Sequence, residues 1–159
     1  MTAALRALTH DHRDLTALLH AVRSAVTRVE RAPSTLDDEL HEIRDGVEAL
    51  REALLEHFAR EQEGLLPFVR ERAPAMRARG DALFHEHDVI AERLSELVFS
   101  VDALGTHTGL ASFRAILASF EDIYASHTRA EHAFLADVDT LVAHDPKAAD
   151  ELRALLDEP

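Results

Sequence analysis

Residues 113–141, FRAILASFEDIYASHTRAEHAFLADVDTL, decide the fold class, because their apolar side chains recur every three or four residues. This spacing places the side chains along one face of an α-helix, as in the inward seam of a helical bundle. The seam comprises Phe113, Leu117, Phe120, Tyr124, His127, Glu131, Phe134, Val138 and Leu141. Buried histidine and glutamate are costly unless they are paired or bound to metal. The interruptions at His127 and Glu131 therefore indicate a functional site inside the bundle.

Three more segments carry a seam of the same kind, at residues 5–29, 36–65 and 83–104. Each of these seams contains a histidine, and the second also contains a glutamate. The interrupting residues are His12, His57, Glu61 and His87. Short connections between long helices favour antiparallel neighbours. The sequence thus predicts an all-α fold, an up-down-up-down four-helix bundle with a short C-terminal helix.

The expected helix boundaries follow from local signals. The first helix should cover about residues 2–30, and Ser34 or Thr35 should cap the second. Gly64 and Pro67 should break or kink the second helix after about residue 63. We expect Asp81 to cap the third helix, which ends near residue 105. The fourth should end near residue 144, and a terminal helix should follow over about residues 145–156.

Composition limits the classes of function. A chain of 159 residues is expected to form one domain, residues 1–159. A net charge of −13 argues against binding to nucleic acid or to an anionic membrane. The chain has no apolar run of membrane-spanning length, no signal-peptide pattern and no cysteine. We expect a cytoplasmic protein without an obligate protein partner.

The four seam histidines should lie in one layer of the bundle. Counted along the helices from the two connecting turns, their distances differ by about one helical turn or less. Two of them, His57 and His127, are each followed by a glutamate four residues later, one turn away on the same face. Four imidazoles and two carboxylates suit two irons better than a single structural zinc, which takes about four ligands.

This ordered set is similar to the motif of the hemerythrin-like, or HHE cation-binding, family, over roughly residues 12–141. The motif reads His12, then His57-Phe58-Ala59-Arg60-Glu61, then His87, then His127-Thr128-Arg129-Ala130-Glu131. The resemblance, which is to bacterial non-haem di-iron members, implies a four-helix bundle that holds two iron ions with an oxo or hydroxo bridge. It implies four terminal histidine ligands, and bridging carboxylates from Glu61 and Glu131.

The ligand motif differs from that of the oxygen-carrying members of the family, and these differences reduce the number of functions to consider. Those proteins use a fifth histidine and a longer His-to-Asp spacing in the last helix, and this chain has neither. The ligand set is closer to family members credited with peroxide chemistry, so catalase-like dismutation of hydrogen peroxide is our leading hypothesis. The alternatives are a module that binds or senses oxygen, nitric oxide or iron, and iron–sulfur cluster repair. Repair proteins usually carry a cysteine-bearing N-terminal domain, and because this chain has no cysteine the repair alternative is the weaker one.

Tyr124 is the only tyrosine, and it lies one turn before His127. Three roles are open: a core residue, a hydrogen-bond donor to iron-bound peroxide, or a phenolate ligand. We take it as the candidate catalytic residue. The remaining histidines fall off the seams and are predicted to be solvated. They are His10, His20, His41, His85, His107, His132 and His144.

Overall fold

The computed structural model describes residues 2–32, 36–106 and 108–157, and these are helical almost throughout, with no strand among them. The helices are α1 (Ala3–Arg31), α2 (Leu36–Arg60), α3 (Leu66–Arg72), α4 (Arg77–Val101), α5 (Gly109–Ala143) and α6 (Pro146–Asp157). The long helices α1 and α4 each pack against both α2 and α5. The predicted all-α bundle is confirmed.

Several boundaries lie close to their predicted positions. The first helix begins at Ala3, because the side chain of Thr2 caps it by accepting a hydrogen bond from the backbone N–H of Leu5. The predicted cap of the second helix, Ser34 or Thr35, lies outside the described residues. The terminal helix α6 starts as expected at Pro146, and the Asp145 carboxylate accepts two backbone N–H bonds in its first turn.

The regular α-helix is interrupted close to the predicted place, since α2 ends at Arg60, but the interruption is a π turn and not a break. Gly64 and Pro67 do not break the helical winding, which passes through a π turn at Glu61–Leu65 and continues as α3. The N–H of Leu66 donates to the carbonyl of Glu61, a step of five residues. Pro67 consequently falls in the first turn of α3, a position where proline is common. Single π turns are frequent at functional sites, and this one begins at a predicted ligand.

Asp81 was also predicted wrongly, because it does not cap the third helix. A 3-10 turn at Pro74–Met76 leads directly into α4, which starts at Arg77. Asp81 lies inside that helix, and its Oδ1 accepts a hydrogen bond from Arg70 Nη2 at 2.8 Å. Because α4 starts four residues before Asp81, this carboxylate makes an ion pair with α3 instead of capping the helix.

The core consists of two apolar clusters with the predicted polar layer between them. One cluster lies toward the C-terminal end of α1 and the N-terminal end of α2, and it includes Leu50 and Phe120. The other includes Leu5 and Phe134 and is completed by α3 and α6. Hydrocarbon thus encloses the histidine and glutamate layer from both ends of the bundle. Within the described part of the chain, no helix combines the length and the apolar character needed to cross a membrane.

The contact between the π turn and α6 gives a prediction for stability. A Cβ added at Gly64 would lie 2.8 Å from the Leu155 carbonyl oxygen and 2.9 Å from Leu156 Cδ2. Because the first of these atoms is backbone, Gly64→Ala is expected to lower the free energy of unfolding by about 1–3 kcal/mol. Urea denaturation measures the change.

Gly80→Ala is the matched control for this variant. A Cβ at Gly80 would meet Leu66 Cδ2 at 3.4 Å, which is ordinary contact. Alanine also favours the helix by about 1 kcal/mol over glycine. Gly80→Ala should therefore equal or exceed the wild-type stability. Equal stabilities for the two variants would contradict the close approach of α6.

Candidate metal centre

The six predicted ligands come together inside the bundle, and none is more than 3% exposed. Their ligating atoms form two groups of three. The first group is His12, His57 and Glu131, and the second is Glu61, His87 and His127. Each group draws on three different segments of the chain, so the site exists only when the whole bundle has assembled.

The atoms of the first group are spaced as ligands of one cation would be. His12 Nε2 lies 3.0 Å from His57 Nε2 and 2.8 Å from Glu131 Oε2. Neighbouring ligand atoms with bonds of about 2.0–2.1 Å to one metal lie about 3 Å apart. Two imidazole nitrogens that face each other at this distance therefore fit a shared cation.

The second group contains buried polar atoms that lack partners. His87 Nε2 lies 3.1 Å from Glu61 Oε2, but the pair does not have hydrogen-bond geometry. His127 Nε2 is also without a hydrogen-bond partner among the described residues. A buried polar atom without a partner costs about 1–3 kcal/mol, and binding to a cation would remove that cost. The donor set of this group thus also fits a metal ion.

The two carboxylates connect the groups. Glu131 Oε2, a member of the first group, lies 3.4 Å from His127 Nε2 of the second. Glu61 Oε2, a member of the second group, lies 3.7 Å from His57 Nε2 of the first. Each carboxylate consequently faces histidines of both groups, as a bridge between two cations requires.

Carboxylates outside the site orient two of the histidines. His57 Nδ1 lies 3.3 Å from Asp11 Oδ2, and His127 Nδ1 lies 2.9 Å from Glu86 Oε2. When each Nδ1–H donates to its carboxylate, the Nε2 lone pair points into the site. Metal-binding histidines usually have an outer partner of this kind. Arg60 holds Asp11 in place, with Nη2 2.7 Å from Oδ2.

Polar side chains also contact the outer nitrogens of the other two histidines. The Gln62 amide lies 3.1 Å from His87 Nδ1, and a half-turn of the amide lets its oxygen accept the Nδ1 proton. His132 Nε2 lies 3.2 Å from His12 Nδ1. His132 is exposed, as predicted, but the sequence did not predict this contact. His10, His20, His41, His85 and His144 are exposed, and His107 lies outside the described residues.

A regular pattern in the chain could have revealed all four outer partners. Each is a direct neighbour of one ligand and supports the histidine of another helix. The pattern repeats, since Asp11-His12 corresponds to Glu86-His87, and Glu61-Gln62 corresponds to Glu131-His132. The chain thus repeats as two hairpins, α1–α2 and α4–α5, in its ligands and also in the residues that orient them.

The protonation of the ligands depends on their burial and on each other. Burial and the charge of Glu131 raise the pKa of Glu61 well above its usual value. Burial acts on Glu131 too, but the nearby imidazoles of His12, His127 and His57 hold its pKa well below the usual range. Burial, together with the charges of two other histidines, lowers the pKa of His87 to about 3, so its imidazole is neutral and Nε2 can bind metal.

These shifts predict that acid weakens metal binding. Burial lowers the pKa of His57, but Asp11 and Glu131 outweigh it, so the pKa is raised overall. Both shifts favour the protonated forms of Glu61 and His57 in the metal-free site, and any such proton must leave before a cation binds. The dissociation constant for Fe²⁺ is expected to rise, as the pH falls, by up to about tenfold per pH unit for each proton released. Ferrous titrations at several pH values measure the slope.

Asp11→Asn provides a control for this pH dependence. It removes a carboxylate that raises the pKa of His57. The slope of affinity against pH should therefore be smaller near neutrality in the variant than in the wild type. An affinity that does not change with pH would show that the site holds no displaceable protons.

Tyr124 lies beside the first group. Its ring centroid is 6.5 Å from that of His12, and its hydroxyl has no hydrogen-bond partner among the described residues. Burial raises the pKa of Tyr124 far above its usual value, and the nearby hydroxyl of Thr128 offsets this only in part. Without a metal the phenol keeps its proton, so it can donate a hydrogen bond into the site.

The comparisons with known proteins agree with this geometry. No curated protein and no solved structure matches the chain. Residues 3–137 match the family model for the hemerythrin HHE cation binding domain, which spans α1 through most of α5 and includes all six predicted ligands. The chain belongs to the hemerythrin HHE cation binding domain family.

Proposed function

We propose that this chain binds two irons, one in each group of three ligands, and that the loaded protein dismutes hydrogen peroxide. The observation that carries the proposal is the position of Glu61 and Glu131, whose carboxylates each face histidines of both groups. A structural ion would not need this shared arrangement, whereas a pair of cations that exchange electrons together does.

The donor set supports iron. Imidazole and carboxylate together suit iron, and the chain has no cysteine to favour a thiolate-bound metal. Six protein ligands shared by two cations leave coordination positions open for a small molecule. When bound, the two irons supply two-electron chemistry, in which one peroxide loses two electrons and two protons to become O₂ and a second takes them up to become two waters.

The protein around the site selects for small molecules. Apolar clusters close both ends of the polar layer, and the ring of Phe58 stacks on His87 with centroids 3.8 Å apart. These apolar side chains cover the site at both ends of the bundle and over His87. In our proposal, Tyr124 donates a hydrogen bond from its hydroxyl to the peroxide, because burial keeps the phenol protonated.

Iron analysis and oxygen evolution test the function. Protein from iron-replete cells should contain two irons per chain and release one O₂ for every two peroxides consumed, without an added reductant. His57→Ala should lose both iron and turnover. Two bound irons with no peroxide consumption would contradict the proposed enzyme and favour a module that binds oxygen, nitric oxide or iron. Protein without iron would overturn both functions.

Tyr124→Phe separates the three roles of the tyrosine. Loss of one hydrogen bond to the reacting molecule is expected to slow peroxide consumption by about 10- to 100-fold, with iron content and fold unchanged. Initial rates at matched iron content measure the effect. Loss of a visible absorption band in the variant would identify a phenolate ligand. Unchanged rates and spectra would leave Tyr124 as a core residue.

A further inference from the structure

A groove of about 550 Å³ runs between α1 and α5. Its lining includes Leu19 and Tyr124, which are buried and form its floor, and Ala125, which is exposed. At the end away from the metal centre, an ion pair of Arg23 and Glu121, 3.2 Å apart, joins the two helices. The groove therefore leads from solvent toward the first group of ligands.

Two buried hydroxyls line the groove on the side of the metal centre, where the Tyr124 ring lies 6.5 Å from the ring of His12. Tyr124 and Thr128 both line it, one helical turn apart on α5. Neither hydroxyl oxygen has a hydrogen-bond partner among the described residues, although both are shielded from solvent. Such hydroxyls each donate and accept a hydrogen bond, so a small molecule with both capacities would satisfy them.

The other half of the repeat lacks this feature. The positions on α2 that correspond to Tyr124 and Thr128 carry Leu54 and Phe58, which are both buried. The Phe58 ring covers His87. The two halves of the repeat thus carry matching ligands but different neighbouring side chains. Those on α2 are hydrocarbon, whereas those on α5 carry hydroxyls without partners among the described residues.

A second depression near the site does not offer the same route. It measures about 240 Å³, lies between α4 and α5, and is lined in part by Ser126, His127 and Glu86. The Glu86 carboxylate is bonded to Nδ1 of His127 at 2.9 Å. This depression consequently reaches the outer nitrogen of the ligand, which is occupied, and not the inner face.

We propose that the groove between α1 and α5 is the access route and binding site for a small polar oxidant of the hydrogen peroxide class, held by the hydroxyls of Tyr124 and Thr128. The identity of the ligand rests on the proposed function, whereas the route rests on the groove and the two hydroxyls alone. The tests below therefore use probes that require no turnover.

Tyrosine fluorescence tests the route in metal-free protein. Tyr124 is the only tyrosine and the chain has no tryptophan, so the emission reports this one position. Ala125→Phe fills the groove and is expected to lower the rate constant for quenching by acrylamide severalfold. Ser126→Phe, at the next residue, fills the other depression and should leave quenching unchanged. Equal quenching in both variants would overturn the route, whatever metal the protein binds.

Azide binding tests the route and the hydroxyls in protein loaded with iron. Ala125→Phe should slow azide association, followed by stopped-flow absorbance, by about tenfold at unchanged iron content. Thr128→Val keeps the shape of the side chain but removes the hydroxyl, and it should weaken azide binding by about 5- to 10-fold. Slower association in Ser126→Phe alone would move the route to the α4–α5 side. If azide binds as proposed but peroxide is not consumed, only the proposed reaction fails.

Discussion

Glu131→Gln is expected to remove both irons from the protein, rather than one. The Oε2 atom of Glu131 lies 2.8 Å from His12 Nε2 in the first group and 3.4 Å from His127 Nε2 in the second. An amide at this position keeps the volume of the side chain but loses the charge that both groups share. Loss of an outer partner costs about 10- to 100-fold in metal affinity, so loss of this shared ligand should cost more than about 100-fold. Iron analysis after gel filtration measures the result.

Glu86→Gln is the control for that experiment. Glu86 contacts the outer nitrogen of His127 and is not in either group of ligands, so its loss should weaken binding in the second group and spare the first. The expected iron content lies between those of the wild type and Glu131→Gln. If Glu131→Gln retained one tightly bound iron, the shared role of its carboxylate would be wrong.

Removal of metal is expected to lower the melting temperature strongly. Free iron at about 100 times its dissociation constant stabilises the folded state by about 2.7 kcal/mol for each site. For a chain of this length, about 1 kcal/mol corresponds to about 2–4 °C, so two occupied sites should raise the melting temperature by about 10–20 °C. Calorimetry with and without a chelator measures the difference.

The metal-free protein is expected to be less stable because its site keeps charged and polar atoms buried without enough hydrogen bonds to offset their loss of hydration. Glu61 and Glu131 lie together in the core, and several of their oxygens have no hydrogen-bond partner among the described residues. The chelator should have little effect on Glu131→Gln, since that variant has no iron to lose. A wild-type melting temperature that is insensitive to the chelator would contradict stabilisation by a resident metal.

The periodicity of the chain was sufficient to predict the helical bundle and to predict that the six candidate ligands lie close together inside it. An α-helix has a fixed repeat, so a polar residue on an apolar seam must face the core wherever the helix packs. The prediction that His12, His87 and the two His-x-x-x-Glu pairs lie in one layer needed only helix length and antiparallel order. That they bind iron remains a prediction.

Features that depend on contacts between helices were not predictable in this way. The π turn at Glu61–Leu65 contains Gly64, which α6 approaches closely, and no local pattern encodes that contact. The start of α4 was misplaced because Asp81 is equally suited to a helix cap and to an ion pair with Arg70. The contact of His132 with His12 depends on how α5 is rotated against α1.

The crossed support of the histidines bears on how the helices find their alignment. Asp11 precedes the ligand His12 but orients His57, and Glu86 precedes His87 but orients His127. If α1 slid along α2, or α4 along α5, by one helical turn, a ligand and the support of the histidine on the neighbouring helix would be displaced together. The two groups of three ligands therefore form only when the helices of each hairpin are in register.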